Sequence, residues 1–407
     1  MAIRIGEQDT GSVVYQVTEE SLSKSNIYCE VPYCSADSKV FVYERQNPEY
    51  GPNSTEYVIC EFGTWETQVG GRGLGPPAIT HKGMLYYRRQ VSAVAQELVR
   101  LDLGTGESEV IFGFPEGLQP RGLGTMSPGG RYYAYGVTLS YAPQMFGIEL
   151  VDLKAGTREI INTDPYICNP HTQFEPSEGK QIMIQHNRGC TFLPDGTITQ
   201  LVGPEAATAY LVDIPDGKVT RLQLGPPYTL GSTGHESWIG DTKEILVSIR
   251  SVVGIDHDVG GYRPEHLPSK APLSSFCLHN NCSHCAGLIK AGEAYTPEEG
   301  NLLGVRAGAP PRVVSKGYCF NHVGTSACGR FFSCDIFPTV DVVMGSIRTG
   351  KNAVVCHSES SPEHSAHPHP YLSPDLKWVV FDSDRSGEVQ IHVATVSPEM
   401  IENLEKD

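Results

Sequence analysis

The chain has 407 residues, 39% hydrophobic and 19% charged, with 43 Gly and 29 Pro. That is enough apolar material for a sizeable core, and it excludes a disordered chain or a mini-protein. Its 31 Lys and Arg against 47 Asp and Glu leave a formal charge of −16, which excludes global attraction to nucleic acid or an anionic membrane as the main mode of action.

The opening MAIRIGEQDTG has no long apolar run, and no window approaches the roughly 18 to 20 apolar residues of a membrane span. The expectation is a cytoplasmic chain with neither a nucleic-acid nor a membrane partner. Twelve cysteines are too few for a disulfide scaffold in a chain of this length.

Taken in chain order, an orphan strand comes first, SVVYQVTEE from Ser12. One phrase then recurs: a turn of Ser, Asp, Gly or Pro, one Lys or Arg, and a short β-branched or aromatic run. The copies are SADSKVFVYERQ from Ser35, THKGMLYYRRQ from Thr80, SPGGRYYAYGV from Ser127, PSEGKQIMIQH from Pro176, IGDTKEILVSI from Ile239, ACGRFFSCD from Ala327 and SPDLKWVVFDSD from Ser373. Most are followed by a second strand phrase with an acid or Gly turn, clearest in ELVRLDLGTGESEVI, IELVDLKAGTREII and AYLVDIPDGKVTRL.

Four short antiparallel strands repeated every 40 to 50 residues or so predict an all-β fold, a β-propeller. Seven copies predict a single seven-bladed ring over residues 1–407, with the last blade closed by the N-terminal strand so that no sheet edge is left open. The stretch from about 252 to 300 fits neither phrase and is expected to be an insertion in the fifth blade. Within it Cys277, Cys282 and Cys285 cluster with His279 and His284. Thiolates and imidazoles at that spacing suit a small structural zinc site. The competing reading is a loop with incidental thiols, because a second Cys-x-x-Cys pair is missing.

In a propeller the residues before each first strand and after each second strand share one face. The first set supplies His171, His235, His322, His364, His367 and His369; the second supplies Arg45, Arg88, Arg89, His186, Arg188, Arg250 and Arg385. An acidic chain thus gathers imidazoles and guanidiniums at one mouth. His364, His367 and His369 are the sharpest feature: proline fixes an extended backbone between the last two, and His235 from another blade completes a metal-ligand set. Single channel-wall histidines such as His171 and His322 fit either substrate contact or a purely structural role. The Gly-rich GGRGLGPP from Gly70 lacks the strand-to-helix setting of a phosphate loop.

The combination of HPHPYLSPD, GHESW, NPHTQFEP and a strand ending in QHNRG, on a seven-fold repeat, resembles the oligogalacturonate lyases over nearly the whole chain. The resemblance implies β-elimination on short galacturonides with a divalent metal, typically manganese. It places the metal on His235, His367 and His369, with His364 where the family has glutamine. It also places the catalytic base on His186, although Asn187, Arg188 and Gly189 replace the usual following residues.

The chemistry is consistent with that set. Removing a weakly acidic proton beside a carboxylate needs charge neutralisation and a neutral imidazole base. Arg188, Arg45, Arg88 and Arg250 suit uronate carboxylates of an acidic oligosaccharide, with His171 and His322 as further substrate contacts. A non-catalytic binding propeller and a metal-dependent hydrolase or isomerase of another acidic sugar are the alternatives.

Overall fold

The computed structural model describes residues 2–51, 54–116, 120–203, 206–249, 295, 298–337, 339–361 and 367–407. The chain is an all-β propeller. Five sheets are separate blades. In the first, Lys24–Ser25, Val40–Gln46, Thr55–Glu61 and Thr67–Gly73 pair in sequence order. The next two blades follow the same order from Ala78–Ile79 to Ser108–Phe114 and from Pro120–Met126 to Thr157–Asp164. Cys319–Thr325 to Asn352–Cys356 form another.

The recurring phrase owes its regularity to a hydroxyl. Ser35, Ser127, Ser326 and Ser373 each accept, through Oγ, the backbone N–H of the residue five positions on, at 3.1, 2.9, 3.1 and 3.1 Å. This closes the turn between the first and second strands of a blade. The outer turns use a carboxylate instead. Asp102 Oδ1 accepts from Gly104 and Thr105, and Asp152 Oδ1 from Lys154 and Ala155, an Asx turn. Apolar residues from facing sheets pack between the blades, as where Tyr86 and Leu98 meet Tyr133, Tyr135 and Val137.

The strands do not divide into seven separate sheets, as the repeat predicted. Among the described residues the fourth and fifth repeats form one sheet of eight strands, joined where Ala207 pairs with Ser232. The crossing depends on Gly231, since a Cβ there would lie 2.0 Å from that of Ala206. The GGRGLG run is packing rather than a ligand loop: a Cβ on Gly71 would lie 2.4 Å from the Tyr87 hydroxyl. The predicted insertion at 252–300, with Cys277, Cys282 and Cys285, lies almost wholly outside the described residues.

The last blade has five strands. Tyr371–Leu372, Trp378–Ser383 and Gln390–Thr395 are continued by Val13–Gln16 and then by Ile3–Glu7, which the sequence reading did not anticipate. Val14, Tyr15 and Gln16 pair with Ala394, Val393 and His392. Thr395 Oγ1 accepts the Val13 N–H at 2.9 Å, and the Thr18 hydroxyl donates to Gln390 Oε1 at 2.6 Å. A helix, Pro398–Glu405, follows; Ser397 caps it by accepting the Met400 N–H, and Leu404 packs in the core beside Val355 and Val396. No helix among the described residues is long and apolar enough to cross a membrane.

Deleting residues 1–18 removes both N-terminal strands and the fully buried Val14, and it uncovers the Gln390–Thr395 edge. We expect the deletion variant to aggregate or to lose its single cooperative melting transition in calorimetry; a soluble, cooperatively melting variant would contradict closure by these strands.

His392, stacked on Phe381 at 5.5 Å, is held down to a pKa of about 4 by burial. The unfolded chain therefore binds more protons than the folded one between about pH 6.5 and 4, so stability is lost as pH falls through that window. The shift corresponds to about 3 kcal/mol at the acid end. In His392→Gln the difference in unfolding free energy between pH 7 and pH 4 should shrink by about that amount, read by urea titration. An unchanged difference would show that His392 does not carry it.

Candidate metal centre and cleft

Five histidines lie at one mouth of the channel, each placed by the innermost strand of its repeat or by the lead-in to it. His171 and His369 follow Pro170 and Pro368 and precede the short strands Gln173–Phe174 and Tyr371–Leu372. Both have a φ of 42°, the left-handed region that L side chains enter only when their surroundings hold them there. His235 and His322 sit in strands whose register slips, between Ser232 and Glu236 and between Phe320 and Val323. Such bulges leave residues outside the ladder and re-aim their side chains.

The result is a cleft lined by Tyr28, Asn169, His171, Gln185, Asn187, His235, His322, His367 and His369, among others. One ring nitrogen from each of His235, His322 and His369 lies within 4.8 Å of the others. The His322 ring centroid is 4.1 Å from that of His235, 4.2 Å from His369 and 4.8 Å from His367. Tyr28 packs on His369 at 4.6 Å and on His171 at 5.2 Å.

Behind this layer lie carboxylates. His322 Nδ1 donates to the fully buried Asp335, 2.7 Å from Oδ2 and 2.9 Å from Oδ1, which fixes the tautomer and leaves Nε2 as the electron-pair donor. His235 Nδ1 is 3.1 Å from Thr233 Oγ1. Three imidazoles from separate repeats, one backed by a carboxylate, fit a divalent transition metal with open positions.

His171 forms a second carboxylate–imidazole pair. Its Nδ1 lies 2.5 Å from Glu30 Oε1, and Asn169 Nδ2 lies 2.8 Å from its Nε2. Burial opposes the charged imidazole, but the Glu30 carboxylate prevails and raises its pKa. Burial raises Glu30 in turn, with His171 pulling the other way. Glu30 also lines a second cavity of about 160 Å³ with Leu123, Phe174 and Trp238, so the pair stands between that cavity and the cleft. Glu236, fully buried beside His235, is pushed up to about 7 by desolvation.

Of the metal set read from the sequence, His235, His367 and His369 converge here, while His364 lies outside the described residues. His322, expected as a substrate contact, stands among the metal-ligand candidates, and His171 lines the cleft as expected.

His186 does not line the cleft. On the strand Gln181–Asn187 it shares a face with Ile182 and Ile184, which pack into the apolar layer with Tyr210, while Gln185 and Asn187 face the cleft. Its Nε2 lies 3.1 Å from Asp164 Oδ1. The strict two-residue alternation of a strand was the signal that places it so.

Arg45, Arg88, Arg188 and Arg385 are also not among the residues that line the cleft. Arg45 donates from Nε to Glu56 at 2.8 Å and lies 3.4 Å from Glu20. Arg88, 2% exposed, donates to Gln96 and lies 4.5 Å from the centroids of Phe114 and Tyr135. Arg385 pairs with Glu359 at 2.6 Å. Arg188 follows Asn187 in a turn closed by the Gly203 N–H donating to its carbonyl at 2.7 Å. Arg250 is outside the described residues. Tyr28, Glu30, Asn169, Gln185 and Asp335 had no motif to announce them; each reaches the site through tertiary contacts.

No protein-family model matches the sequence, and no curated protein matches it. Solved structures do match in fold. An oligogalacturonate lyase in complex with manganese aligns with TM-score 0.65 and 15% identity over 98% of this chain and 97% of its own. The oligogalacturonate lyase of Vibrio parahaemolyticus aligns with TM-score 0.64 and 15% identity over 98% of each chain. This chain is therefore similar in fold, end to end, to oligogalacturonate lyases.

Proposed function

We propose that this protein is a metal-dependent lyase that cleaves short uronate-containing oligosaccharides by β-elimination, with manganese held by His235, His322 and His369. The observation that carries the reading is the convergence of these three imidazoles at one channel mouth. The fold shared with oligogalacturonate lyases, one of them a manganese complex, supports it. We read the ring as seven-membered, counting the eight-stranded sheet as two blades. The strand order is consistent with this, since Ser232–Trp238 leads a second run of four strands.

When bound, a divalent cation neutralises a substrate carboxylate and so acidifies the adjacent C–H. The chain supplies the rest. Asp335 holds the His322 ring in the orientation that presents Nε2 to the cleft. Tyr28 packs against His369 and His171, with ring centroids 4.6 and 5.2 Å away, and lies 6.1 Å from His235.

His171 is the base we assign in place of His186. Glu30 accepts the Nδ1 proton, which leaves the electron pair on Nε2; Asn169, on the cleft wall, donates to that pair at 2.8 Å, a bond that the substrate must displace before the nitrogen can act. That nitrogen takes the proton from the carbon beside the uronate carboxylate. The resulting imidazolium is stabilised by Glu30 at 2.5 Å, as a carboxylate stabilises the base in a catalytic triad.

Reconstituted with manganese and dialysed, the wild type should retain one equivalent by elemental analysis, and His235→Ala/His369→Ala should retain none while melting cooperatively. Asp335→Asn should weaken manganese binding by about 10- to 100-fold in calorimetric titration. A metal-free wild type, or undiminished metal in the double variant, would contradict the ligand assignment.

With digalacturonate and manganese, the wild type should generate the ultraviolet absorbance of a conjugated unsaturated uronate. His171→Ala should lower turnover by about 10²- to 10⁴-fold with manganese stoichiometry unchanged. His186→Ala, if it folds, should retain turnover far better. The opposite ranking would return the base role to His186, and absence of the chromophore with every uronate tested would contradict the lyase reading.

A further inference from the structure

His369 enters the cleft from a stretch that cannot run as a ladder strand. Pro368 and Pro370 on either side of it bring no N–H, so the carbonyls here need donors from elsewhere in the fold. Three blades supply them. Asn26, which directly follows the strand Lys24–Ser25 of the first blade, donates from Nδ2 to the His369 carbonyl at 2.8 Å and to the Pro368 carbonyl at 3.3 Å. Asp382 of the last blade donates its N–H to the Pro368 carbonyl at 3.0 Å. Ser333, in the blade that begins at Cys319, donates its hydroxyl to the Pro370 carbonyl at 2.8 Å.

The Asn26 amide differs from the other two donors in what it spans. The Pro368 carbonyl lies before the φ torsion of His369, and the carbonyl of His369 itself moves with ψ. One amide bonded to both therefore closes over the two soft torsions of that residue. His369 sits at a φ of 42°, a conformation that persists only where the surroundings over-determine it.

Asn26 is itself held rigidly. It is fully buried, and its backbone N–H donates to Asp382 Oδ1 at 2.9 Å. Its Oδ1, by contrast, is buried with no partner among the described residues, a cost that an apolar side chain of similar size would avoid. The two donated bonds are what the amide contributes at this position. Two residues further on, Tyr28 packs on the His369 ring at 4.6 Å, so one short segment of the first blade sets both the backbone and the ring of this histidine.

We propose that Asn26 is a positioning residue of the metal centre: its amide locks His369 in the left-handed conformation that brings the ring to 4.2 Å from His322, so that the ligand set is preformed before an ion arrives. The proposal rests on the metal-centre reading and deepens it, by assigning the pre-organisation of one ligand to a residue that neither lines the cleft nor touches the ion.

The test uses full-length Asn26→Leu, which nearly keeps the side-chain size, and Asn26→Ala. Both remove the two donated bonds and leave the backbone bond to Asp382. In calorimetric titration each should bind manganese about 10- to 100-fold more weakly than the wild type. Ser373→Ala separates this from general loosening of the last blade. It removes the turn bond to the Trp378 N–H and should lower the melting temperature while leaving manganese affinity unchanged.

Metal-free crystal structures of the wild type and of Asn26→Leu supply the second measurement. The wild type should hold His369 in the left-handed region with Asn26 bonded to both carbonyls, and the variant should release it. Manganese affinity in Asn26→Leu equal to that of the wild type, or an unmoved His369 in its structure, would overturn the proposal. A wild type that binds no manganese would contradict the metal centre instead, and the paired metal-free structures would still decide the role of Asn26. Should neither variant fold, a metal-free wild type with His369 outside the left-handed region would overturn it, and one with His369 and Asn26 as described would support it.

Discussion

Everything at the channel mouth depends on one strand pairing, that of Val13–Gln16 with Gln390–Thr395. The imidazoles of His171, His235, His322 and His369 come from four repeats spread along the chain, and no local contact fixes their mutual distances. Closing the ring does so. Once the N-terminal segment completes the last blade, each innermost strand has a set position around the axis, and ring centroids 4.1 and 4.2 Å apart become a property of the fold. The closure is reinforced by side chains, with Thr18, Thr395 and Gln390 bonded across the junction.

Within that frame the site is made by departures from regular sheet. His235 and His322 occupy register slips, and His171 and His369 occupy the left-handed region after a proline. Regular pleat would send alternate residues into the layers between blades, as happens to His186. Bulges and positive φ release side chains from that alternation. Buried acids stand behind the exposed faces of the rings: Asp335 behind His322 and Glu30 behind His171. A chain of net charge −16 thus sets single carboxylates where they orient an imidazole instead of competing with it for a ligand.

The repeat was legible in the sequence because its cause is local. In four of the repeats a serine closes the turn through the same five-residue hydrogen bond and leaves the same phrase, whatever surrounds it. The His-Pro-His element was legible for the same reason. What escaped was tertiary. Arg45 reads as a mouth residue until Glu56 is seen directly opposite it across the strand pair, and Arg88 until Phe114 and Tyr135 from other strands enclose it.

His322 passed for one channel histidine among several, since a register slip that re-aims a side chain leaves no sequence mark. The strand Ile3–Glu7 and the helix Pro398–Glu405 were also missed. Both pack on the rim of the ring, outside the repeated phrase. For His186 the alternation with Ile182 and Ile184 was present in the sequence and points away from the cleft.

The central claim is that His235, His322 and His369 hold one divalent cation at the channel mouth. Anomalous diffraction at the manganese absorption edge, from crystals of the protein grown with manganese, tests it most directly. The account predicts one strong peak bonded to a ring nitrogen of each of these three histidines. Absence of a peak there, or a peak bound to other residues alone, would contradict it.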